Sequence, residues 1–440
     1  MRLRTHPAGL ATAVLLACPA LAAAPPLPVG DPATLGFSPE RLAGMERSIA
    51  RFVDEGQHAG VSWLVARRGQ IVSSGARGWR DIEGKRPMEM DTICRIYSMS
   101  KIVTSVGALV LLEEGRLDLA DPVSRYLPEF ETMQVLTGGT VEAPLLATAS
   151  TPITVEQLLT HTSGLYYNFS VEPPLRTLFD EAKLGESTTL EEFSRKAAKL
   201  PLKHQPGAAW TYGISTAILG RVIEAASGQP LEDFLRRRIF EPLRMVDTAF
   251  SVPPEKRGRL AKVYHAKDGR LAEVESLFFT WVEKGKGPPL GDAGLFSTIG
   301  DCARFAQMLQ DGGVLDGQRV LGRKTVEFMR TNRLADLPEK HISGNLAQGF
   351  GLGVSVTIAP GESAALASPG RFGWSGAATT DCGIDPEEQI VALVFAQHFP
   401  FNEHRLFERF SNGYLQALVD EAPVLDGVPV RRDRPAAHRR

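Results

Sequence analysis

Residues 95–119 read RIYSMSKIVTSVGALVLLEEGRLDL, and one feature of this stretch decides the rest. The apolar residues Ile102, Val103, Val106, Leu109, Val110, Leu111 and Leu112 cover most of a helical circumference, which predicts a central, buried helix closed by Gly115. Lys101 stands at its mouth, three residues after Ser98, so the two side chains share one helical face. A serine in the first turn lies near free backbone N–H groups and the positive end of the helix dipole. Burial penalises an ammonium, so a lysine one turn deeper in apolar surroundings is expected to lose its proton easily and act as a base. A serine beside an amine base is a recognised nucleophile arrangement. The bland alternative is a capping serine with a snorkelling lysine. This is the only Ser-x-x-Lys in the sequence.

Outward from this helix, the elements fall in a definite order. Ser38-Pro39-Glu40 opens a helix that runs towards Glu55. GVSWLVARRGQIVSSGARG reads as two strands joined at Arg68-Gly69. The middle of the chain predicts helices beginning near Val155, Leu190, Thr216, Leu231, Ile299 and Arg323, with a long irregular piece over 130–153. Strand patterns return in GFGLGVSVTIAP, ASPGRFGWSGAATT and QIVALVFAQ, before a last helix near Glu403 to Val419. Strands and a helix at each end with helices between imply an α/β (α+β) fold, with a discontinuous α/β domain over 35–95 and 345–420. A mainly helical domain occupies 96–344, and 421–440 reads as a flexible tail.

The chain has 440 residues and a formal net charge of −2, which gives no reason to expect nucleic acid or an acidic membrane surface as partner. Arg2 and Arg4 precede a short apolar run ending in Ala20-Leu21-Ala22, the order of a secretory signal over 1–22. The expectation is an exported protein, periplasmic or secreted, with no transmembrane segment. Leu15-Leu16-Ala17-Cys18 offers the alternative of a lipoprotein anchored through Cys18. Cys94, Cys302 and Cys382 have no metal-like spacing and read as buried thiols, with one disulfide among them left open. No cofactor motif or metal-ligand spacing is seen, so neither a cofactor nor a metal is expected.

Two further stretches match the Ser98 motif in order. AAWTYGISTAILGRVIEAASG places Tyr212 immediately before another helix, and RFGWSGAATT places a small strand ending in Ser-Gly near the C-terminus. With LLTHTSGL and GDAGLFSTIGDCARFAQML, these make the region 35–420 resemble the serine β-lactamase and penicillin-binding superfamily, in its class C-like branch with the family VIII carboxylesterases. The resemblance implies a class C β-lactamase-like fold, an antiparallel sheet flanked by helices from both chain ends plus an inserted helical domain. It implies Ser98 as acylated nucleophile, Lys101 as its base partner and Tyr212 as the proton shuttle. Trp374, Ser375 and Gly376 would occupy the strand motif that lines the substrate, and the backbone N–H groups of Ser98 and Ala377 the oxyanion hole.

The sequence departs from the lactamase pattern at two points. Trp374 stands where a cation holds the substrate carboxylate, and Arg371, three residues away, should point to the opposite face of a regular strand. Ile214 stands where an asparagine would touch the substrate amide, leaving Ser215 to substitute for it or, more simply, to cap the following helix. Acyl transfer without anion recognition fits neutral apolar esters, so a small-molecule acyl ester of short to medium chain is the expected substrate. The alternatives are a β-lactamase, a D-aminopeptidase or transpeptidase-like amide hydrolase, an acyltransferase, or a penicillin-binding protein that does not turn over.

A rival nucleophile lies in Gly373-Trp374-Ser375-Gly376-Ala377, close to the Gly-x-Ser-x-Gly elbow, with Asp381 or Asp385 and His398 following in order. That elbow needs a helix after the serine, whereas the residues here read as turn and strand. His161 is expected to hydrogen-bond a loop, and Asp301 to complement a helix dipole. His398 and His404 lack partner spacing for a metal, and Phe278, Phe279 and Trp281 read as core or acyl pocket.

Overall fold

The computed structural model describes residues 27–267, 269–274, 287–342 and 344–420. The proposed signal segment, Cys18, the tail after 420 and the cluster Phe278, Phe279 and Trp281 lie outside them.

Ten helices are present among the described residues: α1 Pro39–Asp54, α2 Ser100–Glu113, α3 Val155–Leu159, α4 Leu175–Glu181, α5 Leu190–Ala197, α6 Ser215–Ser227, α7 Leu231–Leu235, α8 Ile299–Gln310, α9 Arg323–Met329 and α10 Leu406–Leu415. The largest sheet has eight strands: β1 Gly60–Arg67, β2 Gln70–Asp81, β3 Arg86–Pro87, β4 Gln348–Phe350, β5 Ser355–Thr357, β6 Phe372–Gly376, β7 Thr380–Asp385 and β8 Ile390–Ala396. Its order is β4-β5-β6-β7-β8-β1-β2-β3, antiparallel throughout. The join between β8 and β1 brings the two ends of the chain together, with Trp63 opposite Val394.

The sheet is covered on both faces, and the period of two in its strands shows why. Val61, Trp63 and Val65 of β1 with Ala392 and Val394 of β8 pack against Leu42, Met45, Ile49 and Phe52 of α1 and against Leu406 and Phe410 of α10. Leu64 and Ala66, with Leu393 and Phe395, turn the other way into the larger core that holds α2, α6 and α8. Each valine, leucine, isoleucine, methionine or phenylalanine among them stabilises the fold by about 1.5–3 kcal/mol on burial. α1 starts as expected: the Ser38 hydroxyl accepts from the Arg41 N–H and Pro39 takes the first helical position. In α2 every residue from Ser100 to Leu111 is buried, so it is the central helix.

Two expectations need correction, and the disulfide left open is answered. The stretch 130–153 is not irregular: Gln134–Gly139 and Pro144–Thr148 pair as an antiparallel hairpin. Its Thr and Gly content hides the strand pattern, and Gly139 sits at φ +89 where a Cβ would lie 2.3 Å from the Ala143 carbonyl. Cys94, Cys302 and Cys382 are all free and buried, so no disulfide joins them, and burial pushes the Cys94 and Cys302 thiols up to about 12. Ser215 does not cap α6. It lies in the first turn, buried, with its hydroxyl 2.9 Å from that of Ser163.

Candidate active site

Ser98 sits in a short 3-10 turn, Tyr97–Met99, that leads directly into α2. Tyr97 takes a positive φ of 41°, a conformation that costs a non-glycine residue energy and here points the following serine into an open cavity of about 1150 Å³. Lys101, one turn on, is almost wholly buried, with Nζ 3.2 Å from Ser98 Oγ. The two side chains face each other as the spacing required.

The surroundings of the amine are more polar than the apolar face of α2 suggests. Lys101 Nζ donates to the Asp292 backbone carbonyl at 2.8 Å and lies 3.0 Å from Tyr167 Oη. The Tyr167 hydroxyl in turn donates to the Asp292 carboxylate in a short bond. Asp292 is fully buried, and its other oxygen, Oδ1, has no partner among the described residues. Burial holds the Asp292 carboxyl above the usual carboxylate range, opposed by Lys101 and by the Tyr167 hydroxyl. Burial, then the Asp292 and Tyr212 charges, raises the Tyr167 phenol well above its ordinary value.

Tyr212 lines the same cavity as Ser98. Its ring centroid is 4.7 Å from Lys101 Nζ, and its hydroxyl accepts from Trp374 Nε1 at 3.2 Å. With that lone pair used, the Tyr212 hydroxyl keeps one proton to give and one lone pair to receive. His161 was expected to bond a loop and does not. It is buried among Trp210, Tyr212 and Phe350, with neither ring nitrogen partnered among the described residues, and burial with the nearby Lys101 charge keeps it neutral. It backs the tyrosine as a packing residue.

The late strand β6 delivers the other wall. Trp374, Ser375 and Ala377 line the cavity with Ser98. Gly376 lies behind it: a Cβ there would fall 2.3 Å from the Ile96 carbonyl, so glycine lets β6 close on the nucleophile turn. Ala377 and Ser98 line the same cavity, the pair whose N–H groups the resemblance assigns to the oxyanion hole. Arg371 points away from Trp374, as expected: Trp374 packs with Phe372 and Cys382 on one face of the sheet, while the Arg371 guanidinium lies over Gly383 and beside Tyr414 of α10 on the other, where the cavity reaches round to it. Its guanidinium lies 3.5 Å from Asp381 Oδ2, whose Oδ1 accepts from Ser375 Oγ at 2.7 Å.

The rival nucleophile fails on the same geometry. Ser375 is in an antiparallel strand followed by another strand, not at a strand-to-helix turn, and His398 Nε2 lies 3.2 Å from Glu403 instead. Asp301 is in the first turn of α8 as expected, and its carboxylate also accepts from the Asp247 N–H and the Thr248 hydroxyl. Tyr167 and Asp292 are the site residues that sequence reasoning missed. A carboxylate in the apolar run PPLGDAGLF was the visible signal for the second.

The family model described as Beta-lactamase matches residues 45–412. A Mycobacterium tuberculosis protein, Rv1367c, is 35% identical over 374 residues, 82% of this chain and 90% of that one. Esterase EstB of Burkholderia gladioli is 34% identical over 303 residues, 64% of this chain and 73% of its own. Among solved structures, EstCE1, described as a hydrolase with promiscuous acyltransferase activity, superposes with a TM-score of 0.75 at 25% identity, covering 86% of this chain and 99% of EstCE1. A match across nearly all of the described fold, with esterase and acyltransferase relatives, shows that this chain is a β-lactamase-fold protein and belongs to the Beta-lactamase family.

Proposed function

We propose that the chain is a serine carboxylesterase that cleaves neutral esters of short to medium acyl chain through an acyl-enzyme on Ser98. The observation that carries this reading is the 3.2 Å approach of Lys101 Nζ to Ser98 Oγ at the floor of a cavity whose only guanidinium among the described lining residues is already paired with Asp381. Ser98 Oγ attacks the ester carbonyl carbon while its proton passes to Lys101 or, through the cavity, to Tyr212. The oxyanion that forms turns towards the backbone N–H groups of Ser98 and Ala377. The tetrahedral adduct collapses, the C–O bond to the alcohol breaks, and Tyr212 returns the proton to the departing alkoxide. Water then repeats the sequence and frees the acid.

Acyl transfer to an alcohol is the second reading. It is favoured by a cavity of about 1150 Å³, which exceeds what one short ester fills, and by the exposed apolar side chains of Phe169, Leu346 and Phe401 along it. The printed description of EstCE1 is in keeping with it. Export, read from Arg2, Arg4 and Ala20-Leu21-Ala22, belongs to the same proposal and is checked by N-terminal sequencing of the mature protein.

The test is a panel of p-nitrophenyl esters of rising chain length beside nitrocefin and a D-alanyl amide, with and without an alcohol acceptor. Short to medium esters are expected to give the highest kcat/KM. A phosphonate probe should label Ser98, and Ser98→Ala should abolish turnover while Ser375→Ala keeps it. A preference for nitrocefin, a burst without turnover, or activity surviving in Ser98→Ala would overturn the reading.

A further inference from the structure

Away from the catalytic cavity, the end of β8 and the start of β1 bring together a group of imidazoles. His398 follows β8, His404 precedes α10, and His58 stands two residues before β1. The three rings touch one another: centroids are 4.3 Å apart for His58 and His398, 5.6 Å for His58 and His404, and 5.7 Å for His398 and His404. Glu403 Oε2 lies 3.2 Å from His398 Nε2 and 3.6 Å from His404 Nε2. One ligand atom from each of His398, Glu403 and His404 falls within 4.8 Å of the others. His265 faces the same corner across the pairing of His265 with Phe399.

Packing alone does not account for this. His58 and His398 are each 1% exposed, and among the described residues neither ring nitrogen of His58 nor Nδ1 of His398 has a hydrogen-bond partner. Buried polar atoms are rarely left so, and each costs about 1–3 kcal/mol. Two imidazoles that ligate one tetrahedral ion at 2.0–2.1 Å have ring centroids about 5 Å apart, and the three observed separations bracket that value.

We propose that His398, Glu403 and His404 bind one first-row divalent cation, with the buried His58 as the nearest source of a fourth ligand. Three imidazoles and one carboxylate around one corner suit a four-coordinate zinc better than magnesium or calcium, which take oxygen ligands. His398 and His404 by themselves lack the partner spacing of a metal site; Glu403 beside them and His58 from the opposite end of the chain complete the set. The ion would brace the wall behind the oxyanion hole. The His398 N–H donates to the Ala378 carbonyl at 3.0 Å, the Thr379 hydroxyl donates to the His398 carbonyl at 3.0 Å, and the Asn402 N–H donates to that same hydroxyl at 3.0 Å. Ala378 follows Ala377 directly, and Phe401 and Asn402 line the cavity.

The full chain, stripped with a chelator, is titrated with Zn²⁺ and with Co²⁺, whose tetrahedral nitrogen-ligated form has strong visible bands. The expected result is one equivalent bound, Co²⁺ bands that Zn²⁺ displaces, and a Tm raised by roughly 3 °C at a hundredfold excess of zinc over its Kd. Glu403→Gln and His404→Ala change side chains that are 37% and 28% exposed, so the fold should survive both. Each should weaken zinc by more than the ~10–100-fold that loss of an outer-shell partner costs. His58→Gln should blue-shift or dim the Co²⁺ bands if His58 is the fourth ligand. The proposal falls if the unsubstituted chain gives no visible Co²⁺ spectrum, or if the Glu403→Gln and His404→Ala chains bind zinc as it does.

Discussion

The two tyrosines beside Lys101 have hydroxyls in different company, and removing each should fail in a different way. Tyr212 Oη faces the cavity and accepts from Trp374 Nε1, so Tyr212→Phe leaves only a half-buried indole N–H without its partner. Stability should change by no more than about 1 kcal/mol. If Tyr212 passes the proton to the departing alcohol, kcat should fall by about 10²–10⁴. Tyr167 Oη sits between Lys101 Nζ and the Asp292 carboxylate, both buried. In Tyr167→Phe, Asp292 loses the partner of one oxygen when the other has none among the described residues, and one Lys101 bond is lost too. At about 1–3 kcal/mol for each orphaned group, unfolding should become easier by roughly 2–5 kcal/mol. At about 1 °C per kcal/mol for a chain of this size, Tm should drop by roughly 2–5 °C. Thermal denaturation beside p-nitrophenyl butyrate kinetics separates the two. A Tyr167→Phe enzyme with unchanged Tm but kcat down a hundredfold, paired with an active Tyr212→Phe enzyme, would show the roles reversed.

Three more outcomes follow from single contacts. Trp374→Phe keeps an aromatic face but removes the donor to Tyr212, and steady-state kinetics should show kcat down by about 2–10-fold, the worth of one hydrogen bond. Gly376→Ala drives a methyl against the Ile96 carbonyl and should move the Ala377 N–H, costing about 10²–10³ in kcat with circular dichroism unchanged. Burial raises Asp301 from 3.8 to about 6, against the hydrogen bonds it accepts, so between those values the folded chain binds more protons than the unfolded one. Stability from this group is therefore present below about pH 4 and lost as pH rises through 6, by up to ~1.4 kcal/mol per unit. Urea unfolding across that range should show a shallower decline in Asp301→Asn.

Legibility along the chain followed burial geometry. The helix over 100–113 was readable because it is apolar on every side, and the hairpin of β1 and β2 because Arg68-Gly69 takes the positive φ such a turn needs. The hairpin over 134–148 was not, since its outward positions carry Leu145 and Leu146 exposed while its glycines interrupt the alternation. Ser98, Lys101 and Tyr212 stood out because two share a helical turn and the third opens another helix. Tyr167 and Asp292 did not, because they come from loops that meet only in three dimensions. Arg371 was legible because the period of two carries past the strand's first residue: it faces Gly383 and Tyr414, opposite to Trp374.

The placement of Arg371 bears on which substrates the cavity can hold. A cation beside Ser98 would favour a carboxylate, which a β-lactam carries, but Arg371 stands on the far face of β6, over Gly383 and beside Tyr414. Its guanidinium there already faces Asp381, and Asp381 is held in place from the other side by Ser375 at 2.7 Å. An incoming carboxylate would have to share Arg371 with a fixed one, and the like-charge repulsion in a partly buried cleft offsets what the guanidinium offers. The position where a free cation would count carries Trp374, turned to Tyr212. The charge is turned away and already paired, so the geometry selects for acyl groups that bring none.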